Sequence, residues 1–165
     1  MAERTRVYRQ VLQWFPCDDP TAFAPERFPV FIWMYGQHDS DYLYGFPAFD
    51  GRDIKLATEF FEVPTTADTV NRSVTSAESR AMHDRHVAGR LNGVPREASR
   101  AQVCLYTVTP DSRFIVDRLP GHTCVAAVSA CSGHGFKHSA GLGEAVAQWV
   151  LTGASAIDLA PFRLS

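Results

Sequence analysis

Apolar and aromatic residues crowd positions 7–15 and stop at Pro16, a pattern that predicts a β-strand. Residues 16–29 then read as a loop bounded by prolines. Two further apolar runs, 30–35 and 42–46, flank the turn-rich stretch 36–41, a connection of hairpin length, so they are expected to pair antiparallel. After the turn at Asp50 and Gly51, residues 54–61 roughly alternate apolar and polar, as on a half-buried fourth strand. From Thr75 the period lengthens. Thr75 and Glu78 have capping-box spacing, and Met82, His86, Val87 and Leu91 recur at helical intervals before Gly93 and Pro95. This helix is expected to pack across the sheet. Three short strands follow at 102–108, 113–116 and 123–128, then an amphipathic helix at 139–151 with Gly153 placed to stop it. The pattern as a whole predicts an α+β fold, a mixed and largely antiparallel sheet with flanking helices.

Composition narrows the function classes. A chain of 165 residues with 45% hydrophobic and 21% charged residues is long enough to bury a core and far from disordered compositions. A formal net charge of -2 with mixed signs leaves no continuous basic face, which argues against nucleic acid as a partner. Residues 1–10 are polar, and no apolar run approaches a membrane span, so a cytoplasmic protein without a membrane partner is expected. Cys17, Cys104, Cys124 and Cys131 are irregularly spaced and never form a CxxC pair, which disfavours a disulfide framework and a cysteine zinc site.

Candidate chemistry concentrates at 131–139, Cys-Ser-Gly-His-Gly-Phe-Lys-His-Ser, between an apolar strand and a helix start. Small residues there let a ligand approach the backbone, and helix-start N–H groups beside Lys137 favour an anion. A tight strand-to-helix turn with an ordinary surface lysine accounts for the same residues equally well. The segment is not a dinucleotide fingerprint, because His138 stands three residues after Gly135, and the Gly141-x-Gly143 pair fails in the same way. His83 with His86, and His134 with His138, have neither an HExxH pattern nor an obvious third ligand, so they read as histidines on solvated helix faces and no metal is expected. Taken singly, Cys104 reads as a structural strand cysteine and Lys55 as a lysine on a solvated sheet face.

Taken together, these positions carry a resemblance. Tyr44-Gly-Phe-Pro47, Lys55 eleven residues after Tyr44, Cys104-Leu-Tyr-Thr-Val-Thr-Pro-Asp111 and Ser132-Gly-His-Gly-Phe-Lys137, in that order and spacing, resemble the monomeric sarcosine oxidase and N-methyltryptophan oxidase family of FAD-dependent, D-amino-acid-oxidase-like enzymes. The likeness runs from Val7 almost to Phe162. It implies FAD bonded covalently through Cys104, and Gly133, His134, Gly135 and Phe136 in the loop whose backbone approaches the flavin ring. It implies that Lys55 activates O2 beside the flavin, that Tyr44 and Tyr106 wall the substrate side, and that Lys137 binds the substrate carboxylate. Glu59 stands four residues after Lys55, where some sarcosine oxidases have histidine, which leaves substrate choice open.

The activity so implied is oxidation of the C–N bond of an N-methyl amino acid such as sarcosine or N-methyltryptophan, with O2 reduced to H2O2. The implied organisation is a substrate domain at 1–100 and the C-terminal part of an FAD-binding domain at 101–165, whose strand and helix return to a Rossmann half. Because no GxGxxG unit is present, the chain is expected to be truncated, as from a split reading frame, and on its own to bind FAD weakly and turn over poorly. The alternatives are a non-catalytic amino-acid-binding module, or a subunit that works only with a Rossmann-bearing partner.

Overall fold

The computed structural model describes residues 4–59 and 61–164. Met1, Ala2 and Glu3 of the polar start, Phe60 of the predicted 54–61 strand, and Ser165 lie outside the described residues. The chain forms two compact units, one comprising Tyr8–Leu105, the other joining the residues up to Val7 with the stretch from Tyr106 onward.

In the first unit, β1 (Arg6–Pro16), β2 (Phe31–Met34), β3 (Tyr42–Phe46), β4 (Asp53–Ala57) and β5 (Pro64–Thr65) lie in the order β2-β3-β4-β1-β5, and β6 (Arg100–Val108) also pairs with β1. The β2/β3, β3/β4 and β1/β4 pairs are antiparallel, and the expected hairpin between the second and third strands forms. The fourth strand is shorter than its apolar alternation predicts, ending at Ala57. Past that point the chain turns to bring residue 63 back to β1, where Arg9 N donates to Val63 O at 2.9 Å. Backbone pairing with β1 thus sets the end of the strand, whatever the alternation beyond it.

Helix α1 (Ser76–Met82) starts where the sequence signals, with Thr75 Oγ1 accepting from Glu78 N at 3.1 Å. The Glu78 carboxylate reaches Arg9 of β1 at 2.5 Å, which ties the helix to the sheet. Beyond Met82 the helix widens into a π-turn, His83–Val87, that the periodicity does not predict. The π-turn overturns the reading of the first histidine pair as solvent-facing, because His83 and His86 are both buried with Val87. His83 Nε2 donates to Val94 O at 2.9 Å. His86 Nδ1 accepts from Tyr35 Oη at 2.6 Å, and Arg90 lies 3.8 Å over the Tyr35 ring. Val87 packs with the fully buried Phe15, Leu43, Ile54 and Leu56, so the helical segment does cover one face of the sheet.

The buried His86 makes stability depend on pH. Burial, helped by the nearby Arg85 and Arg90, lowers its pKa from the ordinary 6.5 to about 4. Between these values the unfolded chain binds a proton that the folded chain does not. The stabilisation is therefore complete above the unfolded value and is lost as pH falls toward the folded one. We expect urea unfolding to report a loss of about 3 kcal/mol across this window, with His86→Phe flattening the slope. An unchanged slope in the variant would refute the assignment.

In the second unit, β7 (Ile115–Arg118) and β8 (Ala126–Ser129) form an antiparallel pair. Both lie two to three residues later than their predicted starts at 113 and 123. Thr109 Oγ1 binds Arg113 O at 2.8 Å and Ser112 adopts a positive φ of 58°, so residues 109–113 close a turn before β7 begins. Helix α2 (Ser139–Thr152) ends at Gly153 in the left-handed region, φ 83°. Its stripe of Leu142, Ala145, Val146 and Trp149 packs with Val116, Leu159 and Phe162, as an amphipathic helix requires.

Candidate functional site

Cross-strand register sets Trp14 of β1 opposite Lys55 of β4, and Lys55 opposite Phe46 of β3. Ile54 and Leu56, the neighbours of Lys55 along β4, point into the core and are fully buried, so Lys55 projects from the other face. That face is not the plain solvated surface expected for an isolated strand lysine. The Lys55 ammonium lies 4.9 Å from the Phe46 ring centroid and 5.4 Å from that of Trp14, beside a hollow of about 310 Å3 that Phe49, Asp53 and Arg100 also line.

The aromatic row continues along β3, where Tyr44 lies 6.3 Å from Phe46 and from Tyr42, ring to ring. Glu59 is drawn to this row: its Oε2 accepts from Tyr42 Oη at 3.4 Å. The Arg100 guanidinium stacks 4.0 Å from Trp14. Cys104 lies four residues further along β6, an even interval on a strand that pairs with β1. Its thiol is free and half-buried. Lys55, Tyr44 and Glu59 thus belong to one side of the sheet, and Cys104 lies on a strand of the same sheet.

Tyr106, Lys137 and the glycine-rich loop belong to the second unit. Ser132 anchors the loop, although the sequence reading gave it no role. It is buried with φ 55°, its N donates to Thr107 O at 2.7 Å, and its Oγ accepts from Thr109 N at 3.3 Å. A Cβ on Gly135 would stand 1.6 Å from Ala130 O, so only glycine fits. Gly133 has φ 80°.

The His134 side chain serves the loop itself, bonding Ser112 O at 2.9 Å and stacking 4.7 Å from Phe114. Phe136 is 94% exposed. Lys137 is exposed within a single 3-10 turn, Phe136–His138, directly before α2, whose first turn holds no acidic residue. It borders a hollow of about 510 Å3 lined also by His134, His138, Phe114, Leu142 and Phe162. Lys55 and Lys137 are the only two lysines in the sequence. Trp14 and Arg100 escaped the sequence reading because only the register between distant strands brings them to Lys55.

Solved structures share this architecture. NikD, an amino acid oxidase of nikkomycin biosynthesis, aligns over 97% of this chain and 42% of its own with a TM-score of 0.70 at 18% identity. An Amadoriase I mutant from Aspergillus fumigatus aligns over 97% of this chain and 38% of its own with a TM-score of 0.66 at 17% identity. The fold is that of this class of oxidases.

The FAD dependent oxidoreductase family model matches residues 3–149, and the chain belongs to that family. Monomeric sarcosine oxidase of Streptomyces avermitilis is 36% identical over 94% of this chain. N-methyl-L-tryptophan oxidase of Salmonella enteritidis is 32% identical over 95% of it. The chain spans 41% of the length of each of these relatives. Among the described residues no helix is long and apolar enough to cross a membrane.

Proposed function

We propose that this chain is the flavin- and substrate-facing part of an FAD-dependent oxidase acting on the C–N bond of N-methyl amino acids. The observation that supports it most is the sheet face on which the Lys55 ammonium lies beside the aromatic row of Phe46, Tyr44 and Tyr42, with a free thiol at Cys104 on a strand of the same sheet. A flat, electron-poor ring system fits this donor set, with apolar walls for its plane, a thiol to tether it and a cation at its edge.

Bound flavin would supply the two-electron chemistry, oxidising the amine and passing the electrons to O2. The chain's own residues would do the rest. Cys104 would hold the flavin by a thioether to its 8α carbon. Gly133 and Gly135, with His134 and Phe136 between and after them, would let the loop backbone approach the ring edge. Lys137 would take the substrate carboxylate, its charge reinforced by the N–H groups at the start of α2. Tyr44 and Tyr106 would wall off the amine and exclude water. Lys55 would present a fixed positive charge where O2 becomes anionic. Glu59, held by Tyr42, would add a negative charge at the substrate side, a feature suited to a cationic or polar substituent. The division of labour would be a substrate domain over 1–100 and part of the FAD-binding domain over 101–165.

Co-expression with the N-terminal portion of the Streptomyces avermitilis relative tests the reading. The chain should emerge with flavin that survives denaturation, seen as in-gel fluorescence and a flavin-sized mass increase. Cys104→Ser should lose all of this covalent flavin. Attachment at Cys17, Cys124 or Cys131, or no attachment in the unsubstituted chain, would refute the tether. Saturable binding of sarcosine by the chain without flavin would instead favour an amino-acid-binding module.

A further inference from the structure

We infer that Trp14 is a positioning residue for the Lys55 ammonium, holding it in place without neutralising it. The inference rests on the oxygen-activating role proposed for Lys55. A lysine has a long flexible stem, and its charge stabilises a developing anion only if it is held in place before the reaction. A carboxylate partner would fix the ammonium but cancel its field. Among the described residues, the Lys55 ammonium makes no ion pair and no hydrogen bond, and it lies over two rings, Phe46 at 4.9 Å and Trp14 at 5.4 Å. The negative face of a ring attracts a cation and leaves its net charge intact.

The surroundings support the same arrangement. Arg100 stacks 4.0 Å from Trp14, restraining the indole with a second cation that cannot accept the Lys55 protons. Two carboxylates border the same hollow, Asp50, whose Oδ1 accepts from Arg52 N and Asp53 N at 2.9 Å, and Asp53. Asp53 Oδ2 accepts from Ser99 Oγ at 2.7 Å, and Ser99 is anchored by its N to Trp14 O at 2.8 Å. Both carboxylates are thus oriented by other donors, and neither forms an ion pair with Lys55.

With only two lysines, lysine-selective 13C labelling reads the clamp on the chain without flavin. The Lys55 ε-methylene should be shifted by ring currents away from the Lys137 signal. Trp14→Leu should collapse that shift and Trp14→Phe should keep part of it. In the flavin-loaded complex, Trp14→Leu should slow flavin reoxidation by O2 about tenfold, the size of one partly desolvated cation–π contact. Flavin reduction by the amine should change less than about twofold, because the clamp does not touch that step. In a Lys55→Met background, Trp14→Leu should add nothing, since there is no ammonium left to hold.

A Lys55 signal already at the position of an unstructured lysine overturns the inference, as does equal slowing of both half-reactions or an undiminished Trp14→Leu effect without Lys55. Normal reoxidation in Lys55→Met alone would sink the role of Lys55 itself, a distinct failure. If Trp14→Leu fails to load flavin, Phe46→Leu and Trp14→Phe supply the same comparison, and the flavin-free signal decides.

Discussion

Lys55→Met in the flavin-loaded complex is expected to slow reoxidation by O2 by about two to three orders of magnitude, the cost of removing one preorganised electrostatic stabiliser. The first electron transferred to O2 creates an anion from a neutral molecule, so a nearby fixed cation acts on the transition state and hardly on the reactants. Methionine keeps the length and apolar bulk of the stem and can still lie between Phe46 and Trp14, which removes charge with little change in packing. Flavin reduction by the amine should fall far less. Stopped-flow measurement of the two half-reactions separates these outcomes, and equal loss in both would assign Lys55 a packing role.

Gly135→Ala should be the most disruptive single substitution in the 131–138 loop. The added Cβ would meet Ala130 O at 1.6 Å, a backbone atom that cannot swing aside. Relief requires the loop to move, which breaks the bonds from Ser132 to Thr107 and Thr109. A cost on the order of 3–4 kcal/mol is expected, at the severe end for one methyl group. Thermal unfolding should show it as a drop of roughly 6–15 °C in Tm. Gly143→Ala is the control: it lies in α2 with nothing within 4 Å of its Cβ, and it should stabilise the helix by about 0.5–1 kcal/mol. Similar Tm values for the two variants would rule out the close approach at Ala130.

The sequence alone determined what depends on neighbours along the chain. Thr75 caps α1 through Glu78 because both groups sit within one turn, and Gly153 ends α2 because a left-handed residue suits glycine. The 36–41 turn joins its two strands because hairpin closure is local. Residue order and spacing around Tyr44, Lys55, Cys104 and Lys137 also sufficed to place the chain in its family, since these motifs read as short contiguous strings.

Tertiary structure decided what depends on partners far away. Nothing near His83 or His86 shows that a π-turn carries both inward, because their partners, Val94 and Tyr35, come from other segments. The end of β4 followed from the return of residue 63 to β1, not from its own alternation. The surroundings of Lys55 are the clearest case. Trp14, Phe46 and Arg100 are strung along three separate strands, and only their hydrogen-bonded register, a property of pairing that no single strand possesses, brings their rings and charges to one lysine.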